Sequence, residues 1–215
     1  MARALEEDYD VIMPDARGHG NSSATNQGYS YDNLALDVLS FIEALRLTNP
    51  VLLGHSMGGL TAAMVAGQNP KRLRGLILAD PTFLTPQRQQ EVYVSDVAAQ
   101  HYRIHNRYRE DFLSEFRTRH SHRSPEFIEL FVQARFQTSI YAFGILTPPN
   151  PDYSQLICTF AIPSLLIIGG VGGVVSPVLA AKLARLNQRL GIVQIEKAGH
   201  GIPYDQPKQW QGYLR

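Results

Sequence analysis

The sequence predicts an α/β fold, with a mostly parallel, doubly wound sheet of about five strands covered by helices on both faces. Three observations indicate this fold: short, continuously apolar runs recur, helical patterns separate them, and turn or cap residues mark their boundaries. Strands that are buried on both faces of a parallel sheet are apolar throughout. The alternation of such runs with helices therefore favours a parallel sheet over an antiparallel one.

The elements follow one another along the chain with recognisable signals at their ends. The helix predicted at 31–47 carries apolar residues at three- and four-residue spacing. The small-residue helix at 57–68 stops at an Asn-Pro pair. The helix predicted at 177–190 has Ser176 as its cap, Pro177 in its first turn and Gly191 at its end. The predicted strands are 9–13, 50–53, 75–79, 164–168 and 192–195.

One long segment interrupts this alternation. Residues 81–161 have helical patterns, many arginines, histidines and aromatic residues, and no convincing strand. We expect an α/β core formed by residues 1–80 and 162–215, with residues 81–161 inserted as a helical cap over the carboxyl edge of the sheet. The sequence PPNP at 148–151 predicts a hinge or linker there.

Composition excludes several classes of protein. Lys plus Arg is 20 and Asp plus Glu is 19, so a net charge of +1 predicts neither a nucleic-acid partner nor an anionic membrane partner. The single cysteine, Cys158, excludes an internal disulfide framework and a multi-cysteine zinc site. No apolar run approaches the roughly 20 residues that cross a bilayer, and the first residues are too acidic for a secretory signal. We expect a cytoplasmic protein without a metal site; self-association is left open.

The sharpest chemical signal is the sequence GHSMGG at 54–59, which follows an apolar strand and opens a helix. That context is what a G-x-S-x-G nucleophile turn requires, because glycines two positions before and after Ser56 leave room for a strained backbone. The turn would lift the Ser56 hydroxyl clear of the sheet edge. Met57 would offer its N–H to a developing oxyanion, and His55 is expected beside the turn as a substrate contact.

A serine hydroxyl needs a base to become a good nucleophile. His200 is the best candidate, because it lies in the sequence AGHG at 198–201, directly after the last predicted strand. A histidine on a short loop at the carboxyl end of one strand can reach a serine at the same end of another.

Three motifs together resemble the α/β-hydrolase superfamily: DARGHGNS at 15–22, GHSMGG at 54–59 and the Gly-His pair at 199–200. The resemblance runs from about Tyr9 to the C-terminus, with the helical insertion in the place of the family's variable cap. It implies a Ser–acid–His triad, no cofactor, and hydrolysis of esters, lactones or related acyl and carbon–carbon bonds. Ser56 would be the nucleophile, His200 the base and Met57 one oxyanion donor.

The acid of the triad does not stand where this family commonly has it. The turn after the strand at 164–168 reads GGVGGVV and holds no carboxylate, and Gly170 occupies the place expected of an aspartate. We expect Asp80, at the end of the strand at 75–79, to serve instead, although a simple turn aspartate before a proline remains an alternative. Asp152 and Asp205 are poorer candidates.

The front of the sequence also departs from the family. Members usually have three strands and a His-Gly oxyanion loop before the motif at 15–22, whereas only eight residues precede Tyr9. The family's sheet order puts one absent strand between Val11 and Val51, which leaves two strand edges unpaired. Three accounts are possible. The chain is a shortened version of a longer protein, the two strands pair directly with each other, or another chain supplies the missing strand. We favour the first account.

These signals predict a serine hydrolase for a small, largely apolar ester or lactone, acting through a Ser56 acyl-enzyme. A carbon–carbon or amide bond as the target is compatible with the same residues. The alternative is a ligand-binding protein of the same fold that has lost activity, since the usual acid and the oxyanion loop are both missing from their expected places.

Overall fold

The computed structural model describes residues 2–214. Contacts group these residues into two units. The first contains the residues up to Met13, the segment Tyr31–Thr85 and the residues from Asn150 onward, and the second contains Pro14–Ser30 and Pro86–Pro149. The predicted boundaries of the cap, 81 and 161, remain a prediction.

A four-stranded parallel sheet forms the centre of the first unit. Its strands are β1 (Val51–His55), β2 (Gly75–Ala79), β3 (Ser164–Gly169) and β4 (Leu190–Ile195), and they lie side by side in that order. The register sets His55 of β1 beside Ala79 of β2. The residues that follow β1 and β2 therefore lie next to each other at the carboxyl ends of the strands.

Ten α-helices are described, seven of them before β3. The first unit holds α1 (Tyr31–Ala44), α2 (Met57–Gln68), α7 (Tyr153–Thr159), α8 (Pro177–Leu186), α9 (Ile202–Asp205) and α10 (Pro207–Gly212). The second unit holds α3 (Pro86–Tyr93), α4 (Val97–His105), α5 (Arg109–Arg119) and α6 (Pro125–Phe136). No helix among the described residues is long and apolar enough to cross a membrane. Short 3₁₀ turns occur at Ala2–Ala4, Pro70–Arg72 and Ile140–Leu146.

The strand predicted at 9–13 is not formed, so the described sheet has four strands instead of about five. The N–H of Tyr9 bonds the carbonyl of Leu5 in a turn, while Ile12 and Met13 are exposed. An apolar run becomes a strand only where a neighbouring strand accepts its backbone hydrogen bonds. The described pairings of β1 involve β2 alone, so the structure does not bear out the alternative account in which residues 9–13 pair directly with β1.

The end of α8 also differs from its prediction. Ser176 caps the helix as expected, since its hydroxyl accepts the N–H of Leu179. The helix stops at Leu186, however, and β4 already begins at Leu190, so Gly191 lies within a strand and does not end a helix. The apolar residues at 190–195 pack in the sheet, and this packing outweighs the local helix-stop signal.

The core of the first unit lies against the sheet. One cluster joins β2, β3 and β4 to the C-terminal helices, and partly buried Val11 packs against it although its segment is not a strand. Helix α2 is buried from Gly59 to Ala66, where its small residues allow close packing. The buried members of the cluster are Leu5, Ala79, Ile167, Ile195, Ala198, Ile202, Trp210 and Leu214.

The second unit has a core of its own, built from α5 and α6. Phe112 and Leu113 of α5 pack with Ile128 and Val132 of α6. Phe112 is buried in this core, whereas Tyr108, directly before α5, is 83% exposed. His101 of α4 is 1% exposed and bonds the carbonyl of Thr138 through Nε2, and burial lowers its pKa.

Candidate active site

Ser56 occupies a turn of unusual backbone geometry between β1 and α2. Its φ of 55° and ψ of −120° are uncommon for any residue other than glycine. Several main-chain bonds hold this conformation. The N–H of Ser56 donates to the carbonyl of Ala79, and the carbonyl of Ser56 accepts the N–H groups of Gly59, Leu60 and Thr82. The turn is thereby tied both to α2 and to the residues that follow β2.

The glycines around Ser56 have different roles. A Cβ at Gly54 would collide with the carbonyl of Gly58, and a Cβ at Gly59 would lie 2.7 Å from the Cβ of Pro81. At Gly58, by contrast, a Cβ would meet nothing within 4 Å. The expected steric need for glycine two positions after Ser56 is therefore wrong for Gly58, and the crowded helical glycine is Gly59.

We expect alanine at Gly58 to leave the stability of the fold nearly unchanged and alanine at Gly59 to lower it. Gly58→Ala adds a methyl group in open space in a helix, so the free energy of unfolding should stay within about 1 kcal/mol of the original. Gly59→Ala should lower it by about 1–3 kcal/mol, because the methyl group overlaps Pro81. Urea unfolding of the two variants measures the difference. Equal stability of the two variants would contradict the close contact between Gly59 and Pro81.

His200 brings the loop after β4 to Ser56. Its Nε2 lies 2.9 Å from the Ser56 hydroxyl, and its Nδ1 lies 2.6 Å from Oδ2 of Asp80. The histidine side chain is 39% exposed, whereas the aspartate side chain is fully buried. The three side chains that the sequence singled out as nucleophile, base and acid therefore form one chain of hydrogen bonds.

The Asp80 carboxylate is held by the glycine-rich turn that lacks an acid of its own. Oδ2 accepts the N–H of Val174, and Oδ1 accepts the N–H of Val175, at 2.8 and 2.9 Å. Gly173 allows this approach, because a Cβ there would lie 3.2 Å from both carboxylate oxygens. A buried carboxylate requires such donors. The turn from β3 thus supplies backbone N–H groups to an acid that comes from β2.

The other acidic candidates have different partners. Asp152 caps α7 by accepting the N–H groups of Ser154 and Gln155. Asp205 accepts the N–H of Gly199, one residue before His200, and so supports that loop. A Cβ at Gly170 would already lie 3.1 Å from the Cα of Glu196, which makes an aspartate there crowded.

Met57 and His55 flank the serine. Met57 is the first residue of α2, so its N–H lies at the positive end of the helix and is not used by the helix ladder. His55 places Nε2 2.7 Å from the carbonyl oxygen of His200. Burial lowers the pKa of His55, which favours its neutral form. The role of His55 as a substrate contact remains a prediction.

Sequence reasoning missed a support behind the serine. The hydroxyl groups of Tyr31 and Thr82 lie 2.9 Å apart, and the N–H of Thr82 donates to the carbonyl of Ser56. Burial raises the pKa of the Tyr31 hydroxyl, which keeps it in its neutral form. A tyrosine at the start of α1 carried no sequence signal that could link it to a turn 25 positions away.

No group of three or more histidine, cysteine, aspartate or glutamate residues suited to a metal ion occurs among residues 2–214. The expectation that the chemistry needs no cofactor remains a prediction. Cys158, the single cysteine, is exposed.

Comparison with known proteins places this geometry in a family. A family model described as the alpha/beta hydrolase fold matches residues 1–207. N-formylmaleamate deformylase from Pseudomonas putida is 28% identical over an alignment of 215 positions, which covers 95% of this chain and 77% of that enzyme. A 3-oxoadipate enol-lactonase from Acinetobacter baylyi is 37% identical over 76 residues, which cover 35% of this chain and 28% of that enzyme.

Solved structures give the same result. The crystal structure of N-formylmaleamic acid deformylase from Pseudomonas putida S16 has a TM-score of 0.84 and 26% identity, and the match covers 100% of this chain and 84% of that one. The four-stranded parallel sheet of this chain fits an incomplete version of the fold. From the family match and from relatives that are hydrolase enzymes, the chain belongs to the α/β-hydrolase family.

Proposed function

We propose that the protein is a serine hydrolase in which Ser56, His200 and Asp80 form the catalytic triad. The observation that carries this proposal is the pair of hydrogen bonds at His200, 2.9 Å to the serine hydroxyl and 2.6 Å to the aspartate. The strained turn at Ser56 acts in this proposal as the nucleophile elbow of the family. The three residues all lie at the carboxyl end of the sheet, after β1, β2 and β4, where backbone hydrogen bonds hold them.

Acylation would begin with attack of the Ser56 oxygen on the carbonyl carbon of the substrate. Nε2 of His200 takes the hydroxyl proton as the new carbon–oxygen bond forms. The charge of the resulting imidazolium is offset by Asp80. The carbonyl oxygen becomes an oxyanion, to which Met57 offers its N–H at the start of α2.

Collapse of the tetrahedral intermediate breaks the bond to the leaving group, which takes the proton from His200. Water then attacks the acyl carbon while His200 accepts a proton from it. The second collapse returns this proton to the Ser56 oxygen and releases a carboxylic acid. The cycle consumes one water molecule and leaves all three side chains unchanged.

The proposed substrate is a small, largely apolar ester or lactone. A lactone substrate is in line with the name of the enol-lactonase, and an acyl–nitrogen bond with that of the deformylase. An amide or carbon–carbon bond would use the same serine, base and acid, so the choice of bond depends on the leaving group.

A serine-directed fluorophosphonate probe tests the proposal. We expect the probe to label the folded chain once and to label the Ser56→Ala variant not at all, because phosphonylation requires an activated serine. The Ser22→Ala variant is the matched control, since Ser22 lies in the second unit and bonds the carbonyl of Asp15. It should be labelled like the original chain. A folded chain that the probe does not label would favour the rival interpretation, a ligand-binding protein of the same fold.

A further inference from the structure

The loop that carries His200 is attached to its surroundings through its backbone. The carbonyl of His200 accepts a hydrogen bond from Nε2 of His55 at 2.7 Å. The N–H of Gly199 donates to Asp205, and the carbonyl of Ala198 accepts the N–H of Val171. Among these bonds, the one from His55 is made directly to the residue that carries the imidazole.

His55 reaches this carbonyl from a fixed position. It is the last residue of β1, where its backbone pairs with Ala79 of β2, and it directly precedes Ser56. Its ring centroid lies 4.8 Å from that of His200, with the two planes tilted by 35°. The last residue of β1 therefore donates a hydrogen bond to the main chain of the activating histidine, and the next residue in the chain carries the hydroxyl to be activated.

We propose that His55 is a positioning residue, which fixes the distance between His200 and Ser56 by donating its Nε2–H to the His200 carbonyl. The inference rests on the proposed function. The hydrogen bond from His55 fixes the position of the His200 main chain, from which the imidazole extends. The hydrogen bond between Nδ1 and Asp80 fixes the orientation of the ring. A displacement of about 1 Å of a catalytic group can cost about 100-fold in rate.

The neutral form of His55 suits this role. A neutral ring with the proton on Nε2 donates to the carbonyl and adds no charge beside His200 when that ring becomes an imidazolium. Burial lowers the pKa of His55, and the charge of His200 acts in the same direction. The hydrogen bond to the His200 carbonyl and the charge of Asp80 act against it.

Three variants test the inference through the hydrolysis of p-nitrophenyl acetate. In His55→Gln, the side-chain amide can place an N–H near the position of Nε2, so kcat should stay within about 3-fold. In His55→Asn the amide is too short, and in His55→Leu no donor is present, so kcat should fall about 10- to 100-fold. KM and thermal unfolding should change little in all three. His122→Leu, which removes an exposed histidine of the second unit, should retain full activity.

The outcomes separate this inference from the function on which it rests. If the original chain hydrolyses the ester through Ser56 while His55→Asn and His55→Leu match His55→Gln, the inference alone is overturned. If no Ser56-dependent hydrolysis occurs, the proposed function fails and the inference falls with it. Nitrogen-15 NMR gives a reading that needs no activity: the neutral His55 ring should carry its proton on Nε2, and a proton on Nδ1 would overturn the inference.

Discussion

Replacing Asp80 by asparagine is expected to lower kcat by about 10⁴-fold while the chain remains folded. Both carboxylate oxygens are engaged, by the N–H groups of Val174 and Val175 and by Nδ1 of His200. The amide of an asparagine has one oxygen, which can accept an N–H group of the turn, and one NH₂ group, which cannot accept a hydrogen bond and would face His200. Facing His200, that NH₂ group would favour the wrong tautomer, in which Nε2 carries the proton and cannot act as a base.

Steady-state hydrolysis of p-nitrophenyl acetate measures this effect, with circular dichroism as the check on folding. Asp152→Asn is the matched control, because this aspartate caps α7 and has no contact with the triad among its described hydrogen bonds. It should retain activity within about 2-fold, since the amide oxygen of asparagine also caps helices well. Full activity in Asp80→Asn would show that the acid of the triad has been assigned wrongly.

Removal of His200, the proposed base, should be as damaging as removal of Ser56, the proposed nucleophile. We expect Ser56→Ala and His200→Ala each to lower kcat by about 10⁴- to 10⁶-fold, because the hydroxyl and the imidazole act as one unit. For the same reason the double variant should be no slower than either single variant. The measurement is a full set of kcat values for the two single variants and the double variant under one condition.

A double variant much slower than either single variant would contradict this expectation. If the fold-decrease in kcat of the double variant equalled the product of the two single fold-decreases, the serine and the histidine would act independently of each other. A His105→Ala variant controls for the loss of a histidine. His105 belongs to the second unit, where it bonds the carbonyl of Thr138, and its replacement should leave kcat unchanged.

The parts of the fold that follow from local pattern were predicted well. The helix at 57–68 and the strand at 75–79 have the predicted bounds, because the Asn-Pro pair after the helix and the continuous apolar run of the strand both act within a few residues. The strand expected at 9–13 required a partner, and the pattern of a single segment carries no information about its neighbour. Gly191 was misread for a similar reason, since the pairing of β4 with β3 decides its conformation.

The site was predictable to a similar extent. Ser56 and His200 could be chosen from motifs that follow strands, and the structure places them 2.9 Å apart. Asp80 could be named only as a substitute, because the support of its carboxylate comes from the N–H groups of Val174 and Val175, and backbone donors leave no trace in residue identity. The contact of His55 with the His200 carbonyl had no sequence signal either, because a backbone acceptor also leaves no trace in residue identity.

The most direct test of the central claim is to locate the covalent adduct by mass spectrometry. The chain would be treated with a β-lactone that acylates serine nucleophiles, then digested and sequenced. We expect one acyl group per chain, on Ser56, and no acylation in His200→Ala. An adduct on a different residue, such as the exposed thiol of Cys158, or equal acylation of Ser56 without His200, would contradict it.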